Sequence, residues 1–164
     1  MSVTSIDKDF DQLKLTLVAD FNATVEQLWK LWTDPRQVER WWGPPGYPAT
    51  FSQYELRPGG KVSYHMTSPE GELHPGWWTI RDVEPPRRLT FTDGFADEDG
   101  EVQAAMPTIE MIVEISEHEG GARFIMTSTF PSKEAMAQLV QMGMDEGLKA
   151  AVGQIDALLD EIPA

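Results

Sequence analysis

Three histidines, His65, His74 and His118, and one carboxylate, Asp93, are the side chains whose type and place could support acid–base or metal chemistry. His65 alternates away from Val62, Tyr64 and Met66, which puts it on the outer side of a strand. His74 falls in a loop and His118 in a turn. No two of them have the spacing of metal ligands on one helix, and there is no cysteine, so no metal site and no cofactor is expected. A Ser-His-Asp order, a nucleophile elbow and a phosphate-cradling glycine loop are also missing. Asp93 continues the parity of Leu89 and Phe91. If that strand stays regular, its carboxylate points inward with them and could act as a general base. The simpler reading is an aspartate that ends the strand and opens the turn at Gly94.

Aromatic pairs raise a second kind of chemistry, stacking on a ligand. Trp32, Trp41 and Trp42 read as packing of short helices onto a sheet, since large aromatics dominate cores. Trp77 and Trp78 are neighbours in a strand, so one faces in and the other out. Gly76 could seed a bulge there, which leaves open which of the two faces in.

The elements that would position these groups follow from hydrophobic period. The chain has 164 residues and 41% hydrophobic content, enough for one domain with a proper core. Leu13, Leu15 and Leu17 alternate as a strand after a polar, loose segment at residues 1–11. Thr24 and Gln27 have capping-box spacing and open a short helix; Asp34-Pro35 opens a second that ends near Trp41-Trp42. Strand patterns follow at 50–56, 62–67, 77–83, 89–91, 109–115 and 124–130, separated by short turns, which predicts an antiparallel sheet. Ser132 to Ile162 then reads as one unbroken amphipathic helix, capped by Ser132, ended by Pro163 and roughly 40 Å long. Its apolar arc holds Val140, Gly143, Met144, Gly147, Ala151, Ile155, Leu158 and Ile162, with Gln154 as the polar exception. Asp145, Lys149 and Gly153 fall on the polar side. Gly143 and Gly147 notch the buried face at about 1 kcal/mol each relative to alanine. Either a strand or short helix packs directly against that bare backbone, where alanine at 147 would destabilise, or the sheet curls around the notched helix and leaves a cavity, the reading followed here. Alanine at position 147 should then stabilise the helix, and alanine at 153 should do so either way.

Charge narrows the partners. The net charge is −14 and no basic stripe occurs, so neither nucleic acid nor an anionic membrane is expected. No apolar run reaches membrane-spanning length and no signal peptide is visible, which reads as a cytoplasmic protein. No Lys or Arg separates Arg88 from Arg123, while nine acidic residues from Asp93 to Glu119 do. That stretch reads as a solvated face and is the one candidate for a charged interaction surface.

An ordered set of pieces then carries a resemblance: Trp32-Thr33-Asp34-Pro35, Trp41-Trp42-Gly43-Pro44, Arg57-Pro58-Gly59-Gly60, Gly76 leading to Pro85-Pro86-Arg87-Arg88-Leu89, and Gly120-Gly121. Over roughly 12–160 the chain resembles the family named after the C-terminal domain of the activator of the Hsp90 ATPase, within the START/Bet v 1-like superfamily. The resemblance implies a helix-grip fold: a seven-stranded antiparallel sheet, two short helices, and a long C-terminal helix over a cavity. It agrees with the α+β pattern and with a single domain at 12–162. Relatives of this kind include co-chaperone domains, lipid and hormone carriers, polyketide cyclases and a resistance protein, so fold alone does not settle function.

The resulting expectation is binding of a small, largely apolar ligand between sheet and helix. Its candidate lining is Tyr64, Met66, Trp77, Trp78, Phe91, Asp93, Met111, Gly143, Gly147 and Gln154. A protein-interaction module of the Hsp90 co-chaperone type, acting in a stress response, is the main alternative, with a chaperone or a second copy as partner. A cavity enzyme such as a polyketide cyclase is the third.

Overall fold

A computed structural model describes residues 3–103 and 105–161. The strands are β1 (Val3–Asp9), β2 (Lys14–Phe21), β3 (Ala49–Tyr54), β4 (Lys61–Thr67), β5 (Leu73–Glu84), β6 (Arg88–Phe95), β7 (Ile109–His118) and β8 (Gly121–Thr129). They form one antiparallel sheet in the order β1-β2-β8-β7-β6-β5-β4-β3. The helices are α1 (Val25–Thr33), α2 (Pro35–Val38), α3 (Lys133–Gln141), α4 (Met144–Val152) and α5 (Ile155–Glu161). The α+β class and the antiparallel sheet gripping C-terminal helices are as the sequence implies.

Two parts of that expectation are corrected. The sheet has eight strands, not seven, because the segment expected to be loose forms β1. Its residues pair with β2 from Val3↔Ala19 to Asp9↔Lys14. Val3, Ile6 and Asp9 are its half-buried positions, so it lacks the period of two that marks a strand. Charged residues such as Asp7 and Lys8 suit an edge strand, and they disguise it as loop. Leu13, read as strand, is in the β1–β2 turn at φ 60°.

The closing helix is also not one rod. It breaks at Gly143, which adopts φ 92°, and again at Gly153-Gln154, where the Gln154 N–H donates to the Ala151 carbonyl, an i→i−3 bond that tightens the turn. Gly143 is therefore a helix break and not an interior glycine; its carbonyl accepts the first bond of α4, from the Gly147 N–H at 2.8 Å. The break resets the helical phase. Asp145, placed on the solvent side by an unbroken period, is buried and accepts a hydrogen bond from Lys8 Nζ at 2.9 Å. That pair fastens α4 to β1. Ile162 and Pro163, assigned to the end of the helix, lie outside the described residues.

The short helices start as their sequences dictate. Thr24 and Gln27 form the reciprocal capping box, Asp34 caps α2 with Pro35 at its first position, and Ser132 caps α3 through the Ala135 N–H. The inner face of the sheet and these helices enclose the core. Its centre is Trp32, whose ring lies 4.7 to 6.1 Å from Trp41, Trp42, Trp78, Phe91 and Phe124.

Candidate functional site: a cavity with a carboxyl–phenol pair

Under the break between α3 and α4 the interior is hollow. The cavity measures about 360 Å³, within the roughly 300–1,000 Å³ of small-molecule sites. Tyr64 and Met66 of β4, Asp93 and Phe95 of β6, and Ile109 and Met111 of β7 form the sheet side. Leu139, Gly143, Met144, Gly147 and Leu148 cover it, and Trp42 and Pro44 close one flank. His74 and Met142 line it as well and are exposed, which places them where it meets solvent. Four of the lining residues are methionines, flexible and polarisable walls that adapt to a guest's shape.

Asp93 reaches this space because β6 is longer than its apolar core suggests. It pairs regularly with β7 from Arg88↔Glu114 to Asp93↔Ile109, so the parity of Leu89 and Phe91 carries through to the carboxylate. The turn-opening reading of Asp93 is thus not what the strand does. Tyr64 Oη donates a hydrogen bond of 3.0 Å to Asp93 Oδ1 across the intervening strand. Gly76 of that strand makes this possible. It is the register partner of Tyr64, and a Cβ on it would lie 2.5 Å from the ring. The phenol lies flat over the bare glycine and so reaches β6.

Burial pushes the Asp93 carboxyl up to about 7, against the opposing pull of the Tyr64 hydroxyl, the Gly94 backbone N–H and the Trp78 indole N–H. Tyr64 is held well above the usual phenol range, first by burial and then by the charge of Asp93. It therefore remains a neutral donor. The indole Nε1 groups of Trp42 and Trp78 are buried and, among the described residues, have no partner within hydrogen-bond distance. Both favour the ionised form of Tyr64.

Of the ten residues expected to line a site, Tyr64, Met66, Asp93, Met111, Gly143 and Gly147 surround this cavity. The other four do not line it. Trp77 is on the outer face, where its ring covers Gly94 and its Nε1 donates to the Phe95 carbonyl at 2.9 Å. The β4–β5 register runs without a bulge through Gly76, so parity sends Trp78 inward. Trp78 and Phe91 stack at 4.3 Å in the packed core. Gln154 donates to the Gly43 carbonyl at 2.8 Å and to the Trp41 carbonyl at 3.3 Å, holding the α2–β3 loop to the closing helices. Its amide is spent on backbone that no helix or strand satisfies.

Sequence reasoning assigned Trp42 to packing alone, yet it also lines the cavity. Phe95 and His74 were missed because β6 and β5 extend past their apolar runs: His74 lies in β5, not in a loop. The Asp93-Phe95 parity was the available signal. Within the acidic stretch the individual carboxylates have different surroundings. Asp93 faces the cavity, Asp97 accepts from the Asp99 and Glu101 N–H groups of its own loop, and Glu110 and Glu117 pair with Arg81 and Arg87. No helix among the described residues is long and apolar enough to cross a membrane.

The sequence profile of the family described as Activator of Hsp90 ATPase homolog 1-like protein matches residues 22–160. The chain belongs to that family. Every cavity residue lies within the matched span. Two solved structures are similar over nearly the whole chain. A Mycobacterium smegmatis protein is 44% identical with a TM-score of 0.90, covering 99% of each chain. An Arthrobacter aurescens protein is 45% identical with a TM-score of 0.94, covering 99% of this chain and 94% of the other. The Activator of Hsp90 ATPase homolog 1-like protein of Silicibacter pomeroyi, at 22% identity and a TM-score of 0.73 over 90% of this chain and 98% of its own, shares the fold. No curated protein matches the chain.

Proposed function

We propose that this protein binds a small, largely apolar molecule in the cavity beneath the α3–α4 break. One observation carries the reading. About 360 Å³ of space is walled by aromatic, aliphatic and methionine side chains, with a single hydrogen-bonded carboxyl–phenol pair to orient a guest. That is the composition of a ligand site, apolar for affinity with a few placed polar groups for orientation. Emptiness at this spot is also built in, since a Cβ added to Gly147 meets nothing within 4 Å. A second reading, proton transfer to or from a bound substrate, is favoured by Asp93 alone. A carboxyl that titrates at about 7 in a desolvated site suits general acid–base work.

The test is uptake of a small apolar fluorophore, followed by its emission and by quenching of Trp42. Wild type should bind it, and Gly147→Leu, which places a side chain in the empty space, should fold and not bind. Equal uptake by both proteins, or none by wild type, refutes the cavity as the site.

A further inference from the structure

Among the described residues Asp93 is the one carboxylate lining this cavity, and, half-buried, it lacks the paired cation that a desolvated carboxylate ordinarily has. No Lys or Arg among the described residues lines the space. Among the described residues no cation is ion-paired to Asp93, and no charged group appears among the causes that set its titration. The groups that face it are Tyr64 from β4, the Trp78 indole from β5 and the Gly94 N–H of its own strand. His74, also on β5, lies where the cavity meets solvent; β7, α3 and α4 present only apolar side chains and glycine to the space.

Those contacts have one sense. The Tyr64 hydroxyl, the Gly94 N–H and the Trp78 N–H all lower the Asp93 value, so each favours the carboxylate over the neutral acid. The polar groups around the carboxyl favour its anion, burial opposes it more strongly, and no counterion among the described residues relieves that opposition. An isolated buried charge is costly, and the ordinary remedy is a paired cation. Trp42, Tyr64 and Phe95 line the same cavity, and an aromatic ring attracts a cation over its face through its quadrupole. The protein's net charge of −14 raises the local concentration of cations and repels anions. An apolar carboxylate, such as a fatty acid, would meet no positive side chain in the cavity and one negative one.

Building on the ligand-binding reading above, we infer that the ligand class is an organic amine: an apolar body carrying one ammonium group, which pairs with Asp93 among the cavity's aromatic rings. The ammonium N–H groups donate to the carboxylate while Tyr64 continues to donate to Oδ1. The apolar body fills the methionine-lined remainder. Binding is linked to protons. The ligand's charge draws the Asp93 carboxyl down, so below pH about 7 each amine bound displaces a proton from Asp93 to solvent.

Three probes of one size decide it: 2-phenylethylamine, 2-phenylethanol and phenylacetate, titrated calorimetrically into the purified protein. At pH 8, where Asp93 is ionised and the amine still charged, the amine should bind at least tenfold more tightly than the alcohol, and phenylacetate weakest. The amine's advantage should shrink as pH falls through 7. At pH 6.5 its binding enthalpy should change with the ionisation enthalpy of the buffer, whereas the alcohol's should not. Asp93→Asn should bring the amine to the level of the alcohol, with a cooperative urea melt showing that the variant folds. An amine no tighter than the alcohol in wild type, or an amine preference that survives Asp93→Asn, overturns the amine assignment. In that event alcohol binding that Gly147→Leu abolishes leaves the cavity reading standing. Binding of none of the three removes both.

Discussion

One face of one sheet supports two different interiors. Toward α1 and α2 it is filled, with Trp32 in ring contact with Trp41, Trp42, Trp78, Phe91 and Phe124. Toward α3 and α4 it is hollow, with Tyr64, Met66, Asp93 and Met111 facing open space. The strands do not cause the difference, for β6 contributes Phe91 to the filled end and Asp93 to the hollow one two residues later. The covering segments cause it. The α1–α2 region delivers four buried tryptophans, Trp29, Trp32, Trp41 and Trp42, to the core, while the α3–α4 region sets two glycines over the cavity. A cavity here is the shape left where the lid sets glycines between its apolar side chains.

The contrast can be tested by its largest effect. Trp32→Ala removes the hub of the filled end and should cost about 3–5 kcal/mol, the range for truncating a buried large aromatic. Met66→Ala, on the wall of the hollow end, should cost about 1 kcal/mol or less, because a wall that faces open space has few partner atoms to lose. Urea melts of the two variants with wild type measure this. Similar losses would show that the hollow end is in fact close-packed.

How far each end could be read from sequence follows from the same contrast. The filled end announces itself: apolar residues alternate in β2, β7 and β8, and the caps Thr24, Asp34 and Ser132 stand where the helices begin. Local rules sufficed there because each signal is local. The hollow end needed long-range facts. That Tyr64 bonds Asp93 depends on Gly76 being bare in the strand between them. The phase of α4 depends on the left-handed Gly143, and one helical period drawn across that break put Asp145 outside and Gln154 in the site. β1 was missed because an edge strand can be polar and irregular and still satisfy its backbone. A glycine's backbone conformation leaves no trace in a hydrophobic pattern.

Asp93 gives the next effect in size. Its carboxyl is raised from 3.8 to about 7 by burial, so the folded state holds its proton more tightly than the unfolded chain. Between those values the folded state binds more protons, and the contribution of Asp93 to stability, complete at low pH, is lost as pH rises through about 7. The slope is at most about 1.4 kcal/mol per pH unit, reduced where solvent enters the cavity. Carboxylates with depressed values, such as Asp20 and Asp145, act in the opposite direction. The readout is therefore the difference between wild type and Asp93→Asn. The variant should gain on wild type as pH climbs from 4 to 7, by chemical denaturation at each pH. A constant difference over that range would mean that Asp93 is solvated, and the hollow end wet and open.

The smallest effects come from the lid's glycines, and they separate positions that sequence treats alike. Gly143 has φ 92°, so an alanine there is strained whatever the space around it, at a cost of about 1–2 kcal/mol. Gly147 is an ordinary helical position inside α4, where a new Cβ meets nothing within 4 Å. Gly147→Ala should therefore raise stability by some tenths to about 1 kcal/mol, through the smaller entropy of the unfolded chain. Gly153, on the solvent side, was expected to gain equally. A Cβ there, however, comes within 3.2 Å of the Lys149 carbonyl oxygen, so the tight turn offsets the entropy gain and the change should be near zero. Thermal melts of the three alanine variants beside wild type should thus give a loss, a gain and no change. A loss at 147 is the outcome that matters most, because only protein packed against that backbone could produce it. The hollow end would then be filled in solution, and the contrast with the tryptophan end would collapse.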